Sequence, residues 1–376
     1  MIEGYPTYAA PSGEAELRAE VRDFVLAHSA GPPGLGMGAH HDPEFSRRLA
    51  ERGWVGMSLP TRYGGSDKRA LERWVVVEEL LALSAPVGAH WIADRQTGPL
   101  LARFGSEEMR ERFLPSIAAG ECWISIGMSE PDAGSDLASV RTTATEVDGG
   151  YEINGTKIWT SGAHTNHFVV ALTRTEPLGE DRHQGLSQFI IDLASPGIGI
   201  HPIGFLDGSH HFNEVVFDGV FVPAENLIGE RGRGWAQVTS ELVAERGGPD
   251  RYMSVYRLLE LAFEHVPDVV DRHAAEVGTL LARFATLRRM SMSIAAMSDD
   301  GTPTGGVVPM VKDLGTTFEQ ETVRTLRNIV ATSQRLDHHT DHFVELLARA
   351  TLTATSFTIR GGTNEILRNL IARSLS

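Results

Sequence analysis

The chain has 376 residues, 41% hydrophobic and 22% charged, with a net charge of −15 and one cysteine, Cys122. That length accommodates several domains with a sizeable core, and the acidic balance argues against a nucleic-acid-binding face. A lone cysteine excludes an internal disulfide and any metal site built on cysteine pairs, and no metal is expected. No apolar run is long enough to span a bilayer and no basic-then-apolar leader opens the chain, so a cytoplasmic protein without stable membrane insertion is expected.

Residues 1–13 read as an extended arm. Glu14 to His28 carries Leu17, Val21, Phe24 and Val25 at helical spacing. Residues 29–41 read as a loop, and its His40-His41 pair as solvated rather than metal-binding. Pro43 to Arg52 predicts a short helix, followed by the turn Pro60-Thr61-Arg62-Tyr63-Gly64-Gly65. Arg69 to Ser84, Pro99 to Phe104 and Ser106 to Ala119 complete an all-helical first domain, 1–120. Ser106 is the expected N-cap of its helix, with Glu107 and Glu108 in the first turn where the helix dipole favours them.

From Cys122 the pattern becomes strand-like. Short apolar runs at Cys122–Met128, Val140–Val147, Tyr151–Asn154, His167–Thr173, Leu186–Asp192 and Val215–Val222 alternate with turns such as Gly149-Gly150 and Asn154-Gly155. They predict a small β-barrel or sandwich over 121–230. The lone thiol of Cys122 sits in such a run and reads as buried and structural. From Arg231 the chain is helical again. Trp235–Glu264, Asp268–Ser298, Val308–Gln334 and Thr340–Phe357 predict an antiparallel four-helix bundle in 231–376, with a last helix from about Asn364 to Leu375. The fold class is therefore α+β and multidomain. Gly247-Gly248-Pro249 should kink or open the first bundle helix.

Two stretches carry the functional signal. Ser129-Glu130-Pro131-Asp132-Ala133-Gly134-Ser135-Asp136 ends the first β-like run and offers hydroxyls, a Pro-Asp turn and a glycine, so that backbone N–H groups can approach an anion. Asn154-Gly155-Thr156-Lys157-Ile158-Trp159-Thr160-Ser161-Gly162 reads as a turn feeding a short strand. Either alone is an ordinary polar hairpin loop. Together, at this spacing, they resemble the acyl-CoA dehydrogenase family, and the resemblance runs nearly the whole length of the chain.

The resemblance implies FAD. Ile126, Met128, Ser129, Gly134 and Ser135 match the loop on the flavin and its pyrophosphate, Trp159 the indole packed by the isoalloxazine, and Ser161 a donor to the ring. Thr363 and Glu365 fall on the family's C-terminal flavin segment. Ser135, Arg246 and Gly362 are candidates for substrate contact. The family's usual catalytic glutamate belongs in Arg360-Gly361-Gly362-Thr363, where this chain has Gly361, which cannot take a proton. A minority of members carry the base on the first bundle helix as Glu-Arg, matched here by Glu245-Arg246. Glu245 is the expected base, although a Glu-Arg pair on a helix is more often solvated; Glu241, one turn earlier, is the runner-up. Gly361 would still offer its backbone N–H to the thioester oxygen.

Two motifs that reach a neighbouring subunit's FAD in family homotetramers are eroded. Only Arg272 and Gln334 keep their positions. The resemblance thus implies an acyl-CoA dehydrogenase passing electrons to an electron-transfer flavoprotein, as a homo- or hetero-oligomer in which a related chain can supply what is missing. The competing readings are a non-catalytic or half-site subunit, and an oxygen-using flavin oxidase or monooxygenase of the same fold.

Overall fold

Capping and proline rules account for many boundaries in the first 120 residues. The computed structural model describes residues 8–29, 34–35, 41–266, 269–304, 306–333 and 341–375. The helices are α1 (Glu14–His28), α2 (Pro43–Glu51), α3 (Ala70–Ala82), α4 (Gly98–Phe104) and α5 (Glu107–Ala118). Pro43 opens α2 behind Asp42, whose carboxylate accepts the Phe45 N–H at 2.9 Å. Ser106 caps α5 as expected, accepting from Met109 N at 3.2 Å. A π-helical turn, Ala93–Thr97, leads into α4 and has no signature in the sequence.

The chain divides into two compact units. One holds His40–Lys68 and Val87–Glu245; the other holds Met1–Ala39, Arg69–Pro86 and Arg246–Ser376. The first contains β1 (Ile124–Gly127), β2 (Thr143–Val147), β3 (Gly150–Ser161), β4 (Phe168–Arg174), β5 (Leu186–Asp192), β6 (Ile198–Ile203), β7 (Phe212–Pro223) and β8 (Leu227–Ile228). They form one mixed sheet in the order β6-β7-β3-β2-β4-β5-β8, with β1 parallel to β4. Strand alternation builds two cores. Val169, Ala171, Phe189, Ile191, Val215 and Phe217 face one way, while Val170 and Ile190 face the other and pack with Leu101, Phe113 and Ile117 of α4 and α5.

The short strand expected at Tyr151–Asn154 is the start of a twelve-residue strand. β3 runs on because it pairs with β7 from Gly150↔Pro223 to Ser161↔Phe212, a long-range partnership that local propensity does not report. Gly155 permits the crossing: at φ 147 any Cβ would lie 2.5 Å from Thr142 Oγ1.

The helical remainder comprises α6 (Gly234–Arg246), α7 (Tyr256–His265), α8 (Val269–Asp299), α9 (Val307–Thr332), α10 (Asp341–Thr353) and α11 (Asn364–Leu375). The single helix expected over Trp235–Glu264 is broken, as the proline foretells. Pro249 begins a 3-10 turn, Pro249–Arg251, between α6 and α7. In the second unit the Gly247 carbonyl accepts Ser291 Oγ at 2.7 Å, and that hydroxyl accepts Trp74 Nε1 at 2.9 Å. α1 is tied to α3 by Arg18, which pairs with the buried Glu78 and Glu79 at 2.6 and 3.1 Å; Arg288 of α8 reaches Glu78 at 3.0 Å. Cys122 is buried, and burial pushes its thiol up to about 11, as befits an inert structural cysteine. Among the described residues, no helix is long and apolar enough to cross a membrane, and no group of three or more His, Cys, Asp or Glu could hold a metal. His40 lies outside the described residues; His41 is exposed and set edge-on to Trp123.

Candidate active site

In the first unit the two sequence stretches meet. Ile158 N donates to Ser129 O at 2.9 Å, which pins the Trp159 segment to the loop that leaves β1. Beneath this contact lies Lys157, with 0% of its side chain exposed. Its Nζ donates to Met128 O at 3.2 Å and to Glu130 Oε1 at 2.8 Å. Glu130 also accepts Arg141 N at 2.6 Å and Thr142 N at 2.9 Å, so one carboxylate gathers the loop, β3 and the approach to β2. Burial pushes the Glu130 carboxyl up, but the Lys157 charge and these hydrogen bonds outweigh it and hold the group below its ordinary value. Burial pushes the Lys157 amine down to about 8 against the pull of Glu130.

Trp159 is aimed by a β-bulge. Between Lys157↔Val215 and Thr160↔Asn213, β3 spends one residue more than β7. Trp159 takes φ 61, an uncommon conformation for a bulky side chain, and stands 53% exposed, edge-on to Phe212. Ser161 is half-buried, and its carbonyl accepts Ser125 Oγ at 2.8 Å. Ile126, Met128 and Ser129 are half-buried; Gly134 and Ser135 are exposed.

These residues fit the phosphate and ring of a flavin dinucleotide. The N–H groups of Gly134, Ser135 and Asp136 donate to no acceptor among the described residues. A Cβ at Gly134 would meet nothing within 4 Å, so the backbone there is open to an anion. An exposed indole held in a strained bulge on the neighbouring strand offers a ring surface for stacking.

The second unit carries the Gly361-Gly362 turn. Both glycines have positive φ, 67 and 96, which a side chain at either position would strain. Arg246, the last residue of α6, donates from Nε to Gly361 O at 2.9 Å. Lys312 of α9, 0% exposed, donates to Gly362 O at 2.6 Å, Asn364 Oδ1 at 2.7 Å and Thr358 O at 3.0 Å. Arg360 reaches Glu319 at 2.7 Å and Ser254 Oγ at 2.7 Å. The turn thus sits on a buried, charged foundation. Burial, then the nearby positive charges of Arg251, Arg360 and Arg246, push the Lys312 amine down to about 7. Thr363 stands before α11 and accepts Ile366 N at 3.4 Å. Glu365 is exposed in the first turn, its carboxyl lowered chiefly by its own backbone N–H.

The candidate bases differ in what surrounds them. Glu241 is buried and accepts Gln188 Nε2 at 2.7 Å, an interaction with β5. Glu245 lies in the last turn of α6 immediately before Arg246, with its side chain outside the described residues. Arg272 is exposed in the first turn of α8, one residue before a break in helical geometry at His273 (φ −127, ψ 30). Gln334 lies outside the described residues.

Lys157, Lys312 and Arg360 were not foreseen in these roles. A signal existed for Lys312. Val308, Val311, Lys312, Gly315, Thr316 and Glu319 follow one buried helical stripe, so a lysine and a glutamate occupy core positions of α9. The depressed amine has a thermodynamic consequence. Between about pH 7 and the ordinary value of 10.5 the unfolded chain holds a proton on Lys312 that the folded chain has released. The unfolded state then binds more protons, so the Lys312 contribution to stability rises with pH across this window. In urea titrations, wild type minus Lys312→Met is expected to show that rise, and a flat difference would contradict it.

Comparison with known proteins agrees with this geometry. Family models described as the acyl-CoA dehydrogenase N-terminal, middle and C-terminal domains match residues 12–121, 125–220 and 232–376. The Mycobacterium tuberculosis protein named "Acyl-CoA dehydrogenase IpdE1" is 33% identical over 377 residues, covering 95% of this chain and 96% of that protein. A solved structure described as "Tcur3481-Tcur3483 steroid ACAD" is 26% identical with a TM-score of 0.85, covering 97% of each chain. The "ChsE4-ChsE5 complex from Mycobacterium tuberculosis" is 26% identical with a TM-score of 0.81, covering 98% of each. With the Ser129–Asp136 loop clamped to the Trp159 segment and three consecutive domain matches, this chain belongs to the acyl-CoA dehydrogenase family, the FAD-dependent oxidoreductases acting on acyl-CoA.

Proposed function

We propose that the chain catalyses α,β-dehydrogenation of an acyl-CoA thioester, with Glu245 as the base that takes the α-proton. Bound FAD supplies the two-electron acceptor for the hydride of the β-carbon. The chain's own residues do the rest. Ser129, Gly134, Ser135, Trp159 and Ser161, with Ile126 and Met128, hold and orient the cofactor, and Thr363 and Glu365 lie on the other segment assigned to it. The Gly361 N–H receives the thioester oxygen, which must be stabilised as charge develops on it. The observation that carries this reading is the bond from Arg246 to the Gly361 carbonyl. Arg246 directly follows Glu245 in sequence, and Gly361 stands where the family's usual glutamate is replaced by glycine.

The same reading extends to assembly and substrate. Arg272 and Gln334 keep only fragments of the motifs that serve a neighbouring FAD, and two structural neighbours are described as two-chain systems, one a steroid ACAD. We take this chain to act beside a related chain on a bulky, ring-bearing acyl-CoA, with an electron-transfer flavoprotein as acceptor. We also place its domain limits near residues 120 and 230.

The test is anaerobic titration of the flavin-loaded protein, alone and with a related chain, against straight-chain and steroid side-chain acyl-CoA. Bleaching of the oxidised flavin band with matching enoyl-CoA is the expected result. A flavin that no thioester bleaches would leave a structural subunit or an oxygen-using relative.

A further inference from the structure

The Gly361-Gly362 turn holds more donors than the one that the resemblance assigns. The N–H groups of Gly361, Gly362 and Thr363 are consecutive and donate to no acceptor among the described residues, whereas the carbonyls of Gly361 and Gly362 are both taken. Among the described residues there are no cis peptide bonds. In a trans peptide the N–H points opposite to the carbonyl of the residue before it. Arg246, bonded to Gly361 O, therefore turns the Gly362 N–H away from itself. Lys312, bonded to Gly362 O, does the same for the Thr363 N–H.

Successive N–H groups presented by a left-handed turn form a concave anion nest. This one stands at the N-terminus of the twelve-residue α11, on the side of that helix's positive end. A cation on a peptide oxygen, Arg246 throughout and Lys312 below about pH 7, also polarises that peptide, which makes its N–H a stronger donor to an oxyanion.

We propose that Arg246 and Lys312 are positioning residues that orient and polarise the Gly362 and Thr363 N–H groups, which form with Gly361 a three-donor nest for the enolate-like oxygen of the reacting thioester. The proposal rests on the dehydrogenation reading above. It explains why a lysine is buried in a helix core with its amine bonded to Thr358 O, Gly362 O and Asn364 Oδ1.

The test compares wild type with Lys312→Gln, Lys312→Arg and Gly362→Ala, each FAD-loaded in its functional assembly. Gly362→Ala keeps Lys312 but places a methyl 2.9 Å from Arg246 Nη2 at a φ of 96. Lys312→Gln is expected to lower the rate of flavin reduction at saturating acyl-CoA by about tenfold or more, with substrate dissociation little changed. Lys312→Arg should recover part of the loss, and Gly362→Ala should show the same split if Lys312→Gln does not fold. Wild-type reduction rates in Lys312→Gln or Gly362→Ala, or a loss confined to substrate affinity, would overturn the proposal.

Hydrogen exchange of the 358–366 peptide is read in parallel. If the wild-type flavin is not reduced by any thioester, the dehydrogenation reading fails and exchange decides the loop-holding claim. Faster exchange in Lys312→Gln supports it, and unchanged exchange refutes it.

Discussion

Replacing Glu245 with glutamine is expected to slow flavin reduction by about 10²- to 10⁴-fold, the range typical for loss of a general base. Flavin content and thermal stability should stay near wild type, because glutamine keeps the shape and helix propensity of glutamate on α6. The α-proton of a thioester is weakly acidic, so its removal depends on a placed carboxylate as well as on stabilisation of the oxygen. Gly361 has no side chain to offer a proton acceptor. Glu241 is the alternative, but it is buried and held by Gln188 of β5. The pair Glu245→Gln and Glu241→Gln therefore separates the two. A large loss in the first with retained flavin and retained substrate binding supports the assignment. Undiminished reduction in Glu245→Gln, with the loss in Glu241→Gln, would move the base one turn up the helix.

The second large effect is expected at the buried pair beneath the Ser129–Asp136 loop. Lys157→Met leaves the Glu130 carboxylate buried with its two backbone donors from Arg141 and Thr142 but without its counter-charge. Breaking a buried pair from one side typically costs about 3–5 kcal/mol, because an uncompensated charge remains. The damage should reach the cofactor as well, since the same lysine ties Met128 O and Glu130 to β3 beside the Ile158–Ser129 contact. We expect Lys157→Met to lose both stability in urea unfolding and bound FAD. The double variant Lys157→Met with Glu130→Gln should be less damaged than the sum of the single variants, because it removes both charges. Additive losses would show that the two residues act independently and would contradict a clamp.

Periodicity and capping were sufficient for most of the helices. Ser106 accepts from the N-terminus of α5, α2 starts at Pro43, and Pro249 ends the helix that its apolar pattern would have continued. These are local effects, decided within a few residues of each boundary. The strands were less legible. β6 (Ile198–Ile203) and β8 were not foreseen, and β3 is far longer than its apolar run, because its length is set by pairing with β7 some sixty residues away.

The candidate site divides along the same line. The Ser129–Asp136 and Asn154–Gly162 stretches and the Gly361 departure were readable as family motifs, since their residue types and spacing are specific. Their supports were not. Lys157 looks like an ordinary strand lysine until the bulge at Ile158–Trp159 and the return of Glu130 bury it.

By itself, then, the sequence determined the family, most of the helix starts and stops, and the absence of a glutamate at position 361. Only the tertiary structure decided that Glu130 and Lys157 clamp the loop, that a bulge aims Trp159, and that Arg246 and Lys312 grip the carbonyls of the glycine turn. The physical reason is one of range. Caps and periodicity act over a few residues, whereas a buried charge finds its partner through packing between segments as far apart as Lys312 and Gly362, and no local pattern encodes that distance.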